Sequence, residues 1–480
     1  MIQFSLSKND SKNMEQIEDP LGIKRAEKVV YIFNMSEDVW PFISAISDVE
    51  ARRFEVEENA NLADRELFSI SDENDAVFVS PKKIHPSFLE YYKKLFNIKT
   101  IKIIVPKVHT GVISEDIVND PQALEELIEQ ANSVRKLTLI AYSTSHQFLH
   151  LVDVLREMGI TVYTPESPEK QSVWTVDFYG SKSGIRQLAQ KGLAKEPDLL
   201  MPDGLICANI FDAAEIAANK YIKEDGVVIK TNKGHSGAGV LIFRPGELPK
   251  DYKACFKQIY DILQKDKYWE MFPIVIEDYI NVSPAVGGGF PNVEFKIQKS
   301  GKIEFLYYCG LRVSSQGVFA GIEINDDVIN DRITARIMDT GFFVGEQYAA
   351  AGYRGYFDVD FVAAKNGQMY VTESNVRRTG GTFVYQTATT LLGKDFMTDT
   401  YVFSDQLKLL PNIQVSFEQL HDLFSRILFD KKTKEGIVIV SENLLHQNTF
   451  GYIIFGKNKK RALEIETEMK HLLRSANLSL

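Results

Sequence analysis

The sequence predicts an α/β chain of several domains: a parallel sheet flanked by helices, then two mixed α+β lobes, then a small α/β module. Three observations predict it. The 480 residues exceed one ordinary domain, so two to four are expected. In the first third, short apolar runs alternate with amphipathic helical stretches, as a parallel sheet requires. Further on, apolar runs are separated by glycine-rich or Asn-Gly segments, the signature of antiparallel hairpins.

In chain order, residues 1–24 read as a flexible N-terminal arm, polar and without an apolar core of signal-peptide length. VVYIFN (29–34), DAVFVSP (75–81), IKIIVP (101–106), KLTLIAYS (136–143) and ITVYTP (160–165) read as five buried strands. A helix begins near Ser145 and runs through FLHLVDVLREMG to Gly159. The layout is Rossmann-like, but no GxGxxG follows the first strand, so a dinucleotide fingerprint is absent from it. A Pro/Ser/Glu-rich linker follows near 165–172, then a basic helix, SKSGIRQLAQKGLA (181–194). Residues 226–243 read strand, glycine loop, strand; a helix (253–265) and the strand PIVIEDYI (273–280) come next. Strands then run to 324, a helix sits near 331–338, and a hairpin centres on Asn366-Gly367. After 403 come a helix near 417–428, strands GIVIVS and FGYIIFG, and a last helix, RALEIETEMKHLL.

Composition excludes some functions. Apolar content of 44% and charged content of 25% are those of a globular protein. A net charge of −10 argues against a general nucleic-acid binder. No run of 18 apolar residues suggests a membrane span. Cys207, Cys255 and Cys309 lie far apart without a CxxC pair, which fits a reducing cytoplasm.

Three segments carry chemistry. In GYRGYFDVDFVAAKNGQMYVTESNVRRTGGT (352–382), a two-residue Asn366-Gly367 turn sets Lys365 opposite Gln368, Asp360 opposite Glu373 and Asp358 opposite Asn375. Side chains alternate with period two, so these acids and the amide share one face. Facing carboxylates repel unless a cation sits between them, and Mg²⁺ takes oxygen ligands while leaving places for phosphates. In GVVIKTNKGHSGAGVLIF (226–243), Lys230 ends a strand before Gly234, Gly237 and Gly239, with Ser236 between them. Glycines let backbone N–H groups face an anion, and the lysine adds a point charge. This is not the P-loop order, because the lysine precedes the glycines and the loop joins two strands. In PIVIEDYI, Glu277 can stand beside an adenine amino group and the Ile280 N–H beside a ring nitrogen. His146 and His150 have i,i+4 spacing, but no glutamate follows His146 as in HExxH.

The order and spacing of these segments, over roughly residues 181–396, resemble the ATP-grasp superfamily. The resemblance implies that Lys182 and Lys230 bind phosphates and that Gly234, His235, Ser236, Gly237, Ala238 and Gly239 cover them. It implies that Glu277, Asp278 and Ile280 hold adenine, and that Asp360, Glu373 and Asn375 bind two Mg²⁺ ions, with Glu373 shared. Asp358 then supports the site or faces substrate. Arg377 falls on the arginine of E-x-N-x-R, and it and Arg312 are expected to face the acid being activated. The whole chain is similar to the peptide ligases of the pheganomycin type: a Rossmann-like pre-ATP-grasp domain (25–170), an ATP-grasp domain (171–402, glycine-loop lobe about 222–285) and a C-terminal α/β domain (403–480). That likeness implies a cytoplasmic ATP-dependent carboxylate–amine ligase of peptide, natural-product or antibiotic biosynthesis, working through an acyl phosphate. Its partners are an amino-acid-like carboxylate and an amine from a peptide, an amino acid or a carrier protein; a homodimer is admitted. A carrier-protein aminoacyl ligase, a bicarbonate-using carboxylase and a non-catalytic ATP-binding scaffold are the other readings.

Overall fold

The computed structural model describes residues 28–70, 73, 75–131, 135–234, 239–271, 273–313, 318–411 and 413–479. The expected arm at 1–24 lies outside them.

Strands β1 (Lys28–Ile32), β2 (Ala76–Val79), β3 (Ile101–Ile104), β4 (Lys136–Ala141) and β5 (Thr161–Tyr163) form one sheet in the order β3-β2-β1-β4-β5. Every pairing in it is parallel. Alternation explains the continuous apolar runs. Val30, Ile32 and Val77 enter one core, while Val29, Tyr31 and Phe78 enter another on the opposite face. Ser145 caps the predicted helix, observed as His146–Glu157, by accepting the Phe148 N–H at 2.8 Å. The strand order reverses between β1 and β4, which opens a crevice at their C-terminal ends. Asn34 and Ser143 bridge it with hydrogen bonds of 2.8 and 3.1 Å.

Strands β6 (Gly204–Cys207), β7 (Val227–Thr231), β8 (Val240–Phe243) and β9 (Ile274–Asp278) form an antiparallel sheet, ordered β6-β9-β7-β8. Helices Ile210–Glu224 and Tyr252–Leu263 share its apolar core.

The largest sheet contains β10 (Pro291–Ile297), β11 (Ile303–Val313), β12 (Phe319–Ile324), β13 (Gly355–Ala363), β14 (Met369–Glu373), β15 (Tyr401–Lys408), β16 (Gly436–Ile439) and β17 (Thr449–Gly456). Its order is β14-β13-β10-β11-β12-β15-β17-β16. The C-terminal strands therefore extend the central sheet, and β15 runs across the expected 402/403 boundary. One apolar core joins Phe68, Phe88 and Tyr92 of the first layer to Phe417, Leu420 and Ile437 of the last segment. The Phe88 and Phe417 ring centroids stand 5.2 Å apart, edge to face. Among the described residues no helix is long and apolar enough to cross a membrane.

Candidate active site

The hairpin of β13 and β14 carries the acids, but by a different route from the one expected. Its turn is longer than two residues: the Gly367 N–H donates to Ala364 C=O at 3.0 Å and the Ala364 N–H to Gln368 C=O at 2.9 Å. Gly367 has φ +83, the left-handed conformation that closes such three-residue loops. Phe361 consequently pairs with Val371, one residue off the expected register. A bulge then restores it, and Asp360 does face Glu373. The reason is parity. Met369 and Val371 enter the core with Phe361 and Ala363, whereas Glu373 must face the other way. Residues 369, 371 and 373 would share one face of a regular strand, so an extra residue, Thr372, is inserted between the two duties.

Asn292 on β10 stands opposite Asp360 and donates to Asp360 Oδ1 at 2.7 Å and to Asp358 Oδ2 at 3.1 Å. The Asn375 backbone N–H donates to Asp358 Oδ1 at 2.7 Å, and its amide reaches Asp360 Oδ2 at 3.3 Å. Burial raises the Asp358 carboxyl above the usual carboxylate range. Burial, then the charges of Asp358 and Glu373, hold Asp360 well above the carboxylate range. Glu373 goes the opposite way: burial pushes it up, but Lys182, 2.9 Å from Oε1, keeps it low.

Two lysines converge on this edge. Ser181 caps the helix Lys182–Gly192, and Asn232, beyond β7, pins its start by accepting the Lys182 N–H at 3.0 Å and the Ser183 N–H at 2.9 Å. Lys230, at the end of β7, pairs with Glu277 Oε2 at 2.6 Å and reaches Thr372 C=O at 3.4 Å. Glu277 is 2% exposed and takes Arg186 on its other oxygen at 2.6 Å. Burial pushes its carboxyl up, but Lys230 and Arg186 outweigh that and hold it low. Its side chain thus orients two cations and is spent on them. Asp278 pairs with Lys220 at 2.6 Å. Ile280 lies just past β9, and among the described residues its N–H has no partner. Of the glycine loop, Gly234 and Gly239 are described, while His235, Ser236, Gly237 and Ala238 lie outside the described residues. Gly239 accepts the Thr231 N–H at 2.7 Å, closing the loop's base.

Arg377 enters the crevice of the first sheet. Its Nε donates to Asp38 Oδ2 at 2.9 Å, Nη1 to Arg378 C=O at 3.0 Å and Nη2 to Asn375 Oδ1 at 3.1 Å. Arg312 is not brought to this group. It lies three residues beyond Cys309, the partner of Asn292, and so points from the opposite face of β11. There it pairs with Asp405 at 2.8 Å and covers the Phe403 ring at 4.6 Å. His146 and His150 also separate, to Asp177 at 3.0 Å and Glu115 at 2.9 Å.

Asp360, Glu373 and Asn375 offer oxygen, the donor type Mg²⁺ takes. A cation between the acids would relieve the repulsion that raises Asp360. Among the described residues no three His, Cys, Asp or Glu side chains are grouped so as to hold a metal ion, so the candidate donors are two carboxylates and one amide oxygen. Sequence reasoning missed Asn292, Asp38 and Arg186. Asn292 had a signal: Asn292, Glu294 and Lys296 alternate with Val293, Phe295 and Ile297, which marks a strand with one wet face. Asp38 and Arg186 had none, since their partners are distant in sequence.

Solved structures share this fold. The ADP complex of purK, N5-carboxyaminoimidazole ribonucleotide synthetase, aligns over 94% of this chain and 98% of its own, with TM-score 0.54 and 12% identity. Biotin carboxylase from Campylobacter jejuni, in a β-γ-ATP complex, covers 94% and 91% with TM-score 0.53 and 12% identity. The carboxyaminoimidazole ribonucleotide synthase from Aspergillus clavatus, complexed with ATP, covers 94% and 99% with TM-score 0.51 and 8% identity. The sequence matches no family model and no curated relative. At these identities the likeness shows the fold, and the fold is the ATP-grasp fold.

Proposed function

We propose that this chain is an ATP-dependent carboxylate–amine ligase that makes an amide or peptide bond through an acyl phosphate. The observation that carries the reading is the meeting of Asp360, Glu373 and Asn375 with Lys182 and Lys230 at one sheet edge, beside a glycine loop. The chain's own work in this reaction is positioning and charge neutralisation. Lys182 and Lys230 hold phosphate oxygens, Lys182 leaving Glu373 to do so. The loop at 234–239 covers the phosphates. Asp278 and the Ile280 N–H stand at the adenine, while the Glu277 side chain keeps Lys230 aimed. Asp360, Glu373 and Asn375 hold Mg²⁺, two ions in this reading; when bound, the metal neutralises charge on the transferred phosphoryl group. A carboxylate oxygen of the acid attacks the γ-phosphorus and ADP leaves. The amine then attacks the acyl carbon, loses a proton, and phosphate departs. Arg377 faces this exchange; Arg312, on the far sheet face, is a support for the C-terminal segment.

The acid is amino-acid-like and the amine belongs to a peptide, an amino acid or a carrier protein, in a biosynthetic role of the pheganomycin or antibiotic type in the cytoplasm. The resemblance of the E-S-N-V-R-R tail supports this narrower reading. The likeness to carboxylases gives a second: bicarbonate in place of the organic acid. Mass spectrometry of products from a mixed amino-acid and peptide pool with Mg-ATP separates them. An adduct equal to acid plus amine less water, with ADP and phosphate, supports the ligase. ADP release that needs bicarbonate and gives a carboxylated amine supports the carboxylase. Tight ATP binding without any turnover leaves only a scaffold.

A further inference from the structure

Two arginines behind the acids have more donors than the protein uses. Arg378 is 5% exposed; its Nη2 donates to Glu166 at 2.7 Å and its guanidinium covers the Tyr356 ring at 4.3 Å. Among the described residues its Nε and Nη1 have no partner. Arg65, on the short helix Ala63–Glu66 of the first layer, is 6% exposed and covers the Phe383 ring at 4.8 Å. Its Nη2 reaches Glu66 only at 3.4 Å, and among the described residues its Nε has no partner. Buried guanidinium N–H groups left bare are destabilising, so such donors mark a place for a further acceptor.

Both flank one segment, from Arg378 to Phe383. Arg378 donates its backbone N–H to Tyr142 C=O at 3.1 Å, at the switch point of the first sheet. Phe383, which Arg65 covers, is the second residue of the helix Thr382–Leu392, in the turn that follows Arg378. Burial raises the Glu66 carboxyl, and both arginines act against that rise, Arg65 more strongly. Arg377 differs: each of its three nitrogens already donates to Asp38, Asn375 or the Arg378 carbonyl.

We propose that Arg65 and Arg378 form the subsite that takes the carboxylate of the acid substrate, while Arg377 is a strut tying Asp38 to Asn375. A carboxylate presents two oxygens in a plane, which suits guanidinium donors from two sides. The first layer thereby supplies a binding residue across the domain boundary. The proposal rests on the ligase reading for the identity of its ligand, a small carboxylate.

Calorimetry on the full-length protein tests it. Mg-ADP is titrated first, then malonate as the carboxylate probe. One malonate should bind per chain. Arg65→Met and Arg378→Met should each weaken it by about tenfold or more, the worth of a charge-assisted hydrogen bond. Arg65→Lys should lie between, and Mg-ADP affinity should stay within about twofold because neither residue touches the phosphate-binding edge. Circular dichroism checks each fold; if Arg378→Met does not fold, the two Arg65 variants decide. Unchanged malonate affinity in the variants, or no malonate binding to the wild type, overturns the subsite and assigns the bare donors to water. Malonate binding without Mg-ADP binding keeps the subsite and sinks the ligase reading.

Discussion

Glu277 holds Lys230 and Arg186 at 2.6 Å each while only 2% exposed. Removing its charge leaves two buried cations without a counter-ion. Glu277→Gln should therefore cost about 3–5 kcal/mol in urea unfolding and loosen Mg-ATP binding through Lys230. A stability change below about 1 kcal/mol would mean that the pair is solvated. Glu373→Gln should behave differently. Glu373 keeps 34% of its side chain accessible, so water can reach the pair when its charge is removed. The fold should survive while acid-dependent ADP release falls by about 100-fold or more, as expected when a metal ligand on the transferred phosphoryl is lost. Normal ADP release by that variant would remove Glu373 from the site.

The elements show how much of this was legible. The five parallel strands were readable because each is a short apolar run buried on both faces. The facing of Asp360 and Glu373 was readable from the Asn-Gly turn, yet the turn itself was not. Asn-Gly fits both a two-residue and a three-residue loop, and core packing of Val371 chose between them. Arg312 was misplaced because sequence shows periodicity within a strand, not which face of the sheet the site occupies. The clamp of the short helix Ala63–Glu66 on the last segment was invisible, since its partners lie more than 370 residues away. It yields a pH prediction. Asp64 accepts the N–H groups of Glu442 and Asn443, and burial raises its carboxyl to about 7. Below about pH 4 the proton is bound in both folded and unfolded chains. Between about 4 and 7 the folded state keeps a proton that the unfolded chain has lost, so stability falls as pH rises. Asp64→Asn should remove on the order of 4 kcal/mol of that fall, measured as urea midpoints at several pH values. An unchanged slope would show that Asp64 ionises normally.

At the scale of the molecule, one apolar core unites the first layer, the central sheet and the C-terminal segment. Truncation after Lys408 would expose Phe68, Phe88 and Tyr92, which now lie against Phe417 and its neighbours. The truncated chain should be insoluble or melt well below the full chain; an unshifted melting temperature would mean that the segment is an independent appendage. The same continuity sets Asp38 against Arg377 and Tyr142 against Arg378, so the proposed reacting groups lie where the first sheet meets the central one. The central claim is that a carboxylate oxygen attacks the γ-phosphorus of ATP there. Its most direct test uses a pool of amino acids labelled with ¹⁸O in the carboxyl group, with Mg-ATP and a peptide pool, and mass analysis of the phosphate released. The account predicts ADP and phosphate carrying one ¹⁸O atom; unlabelled phosphate, or label in AMP, would contradict it.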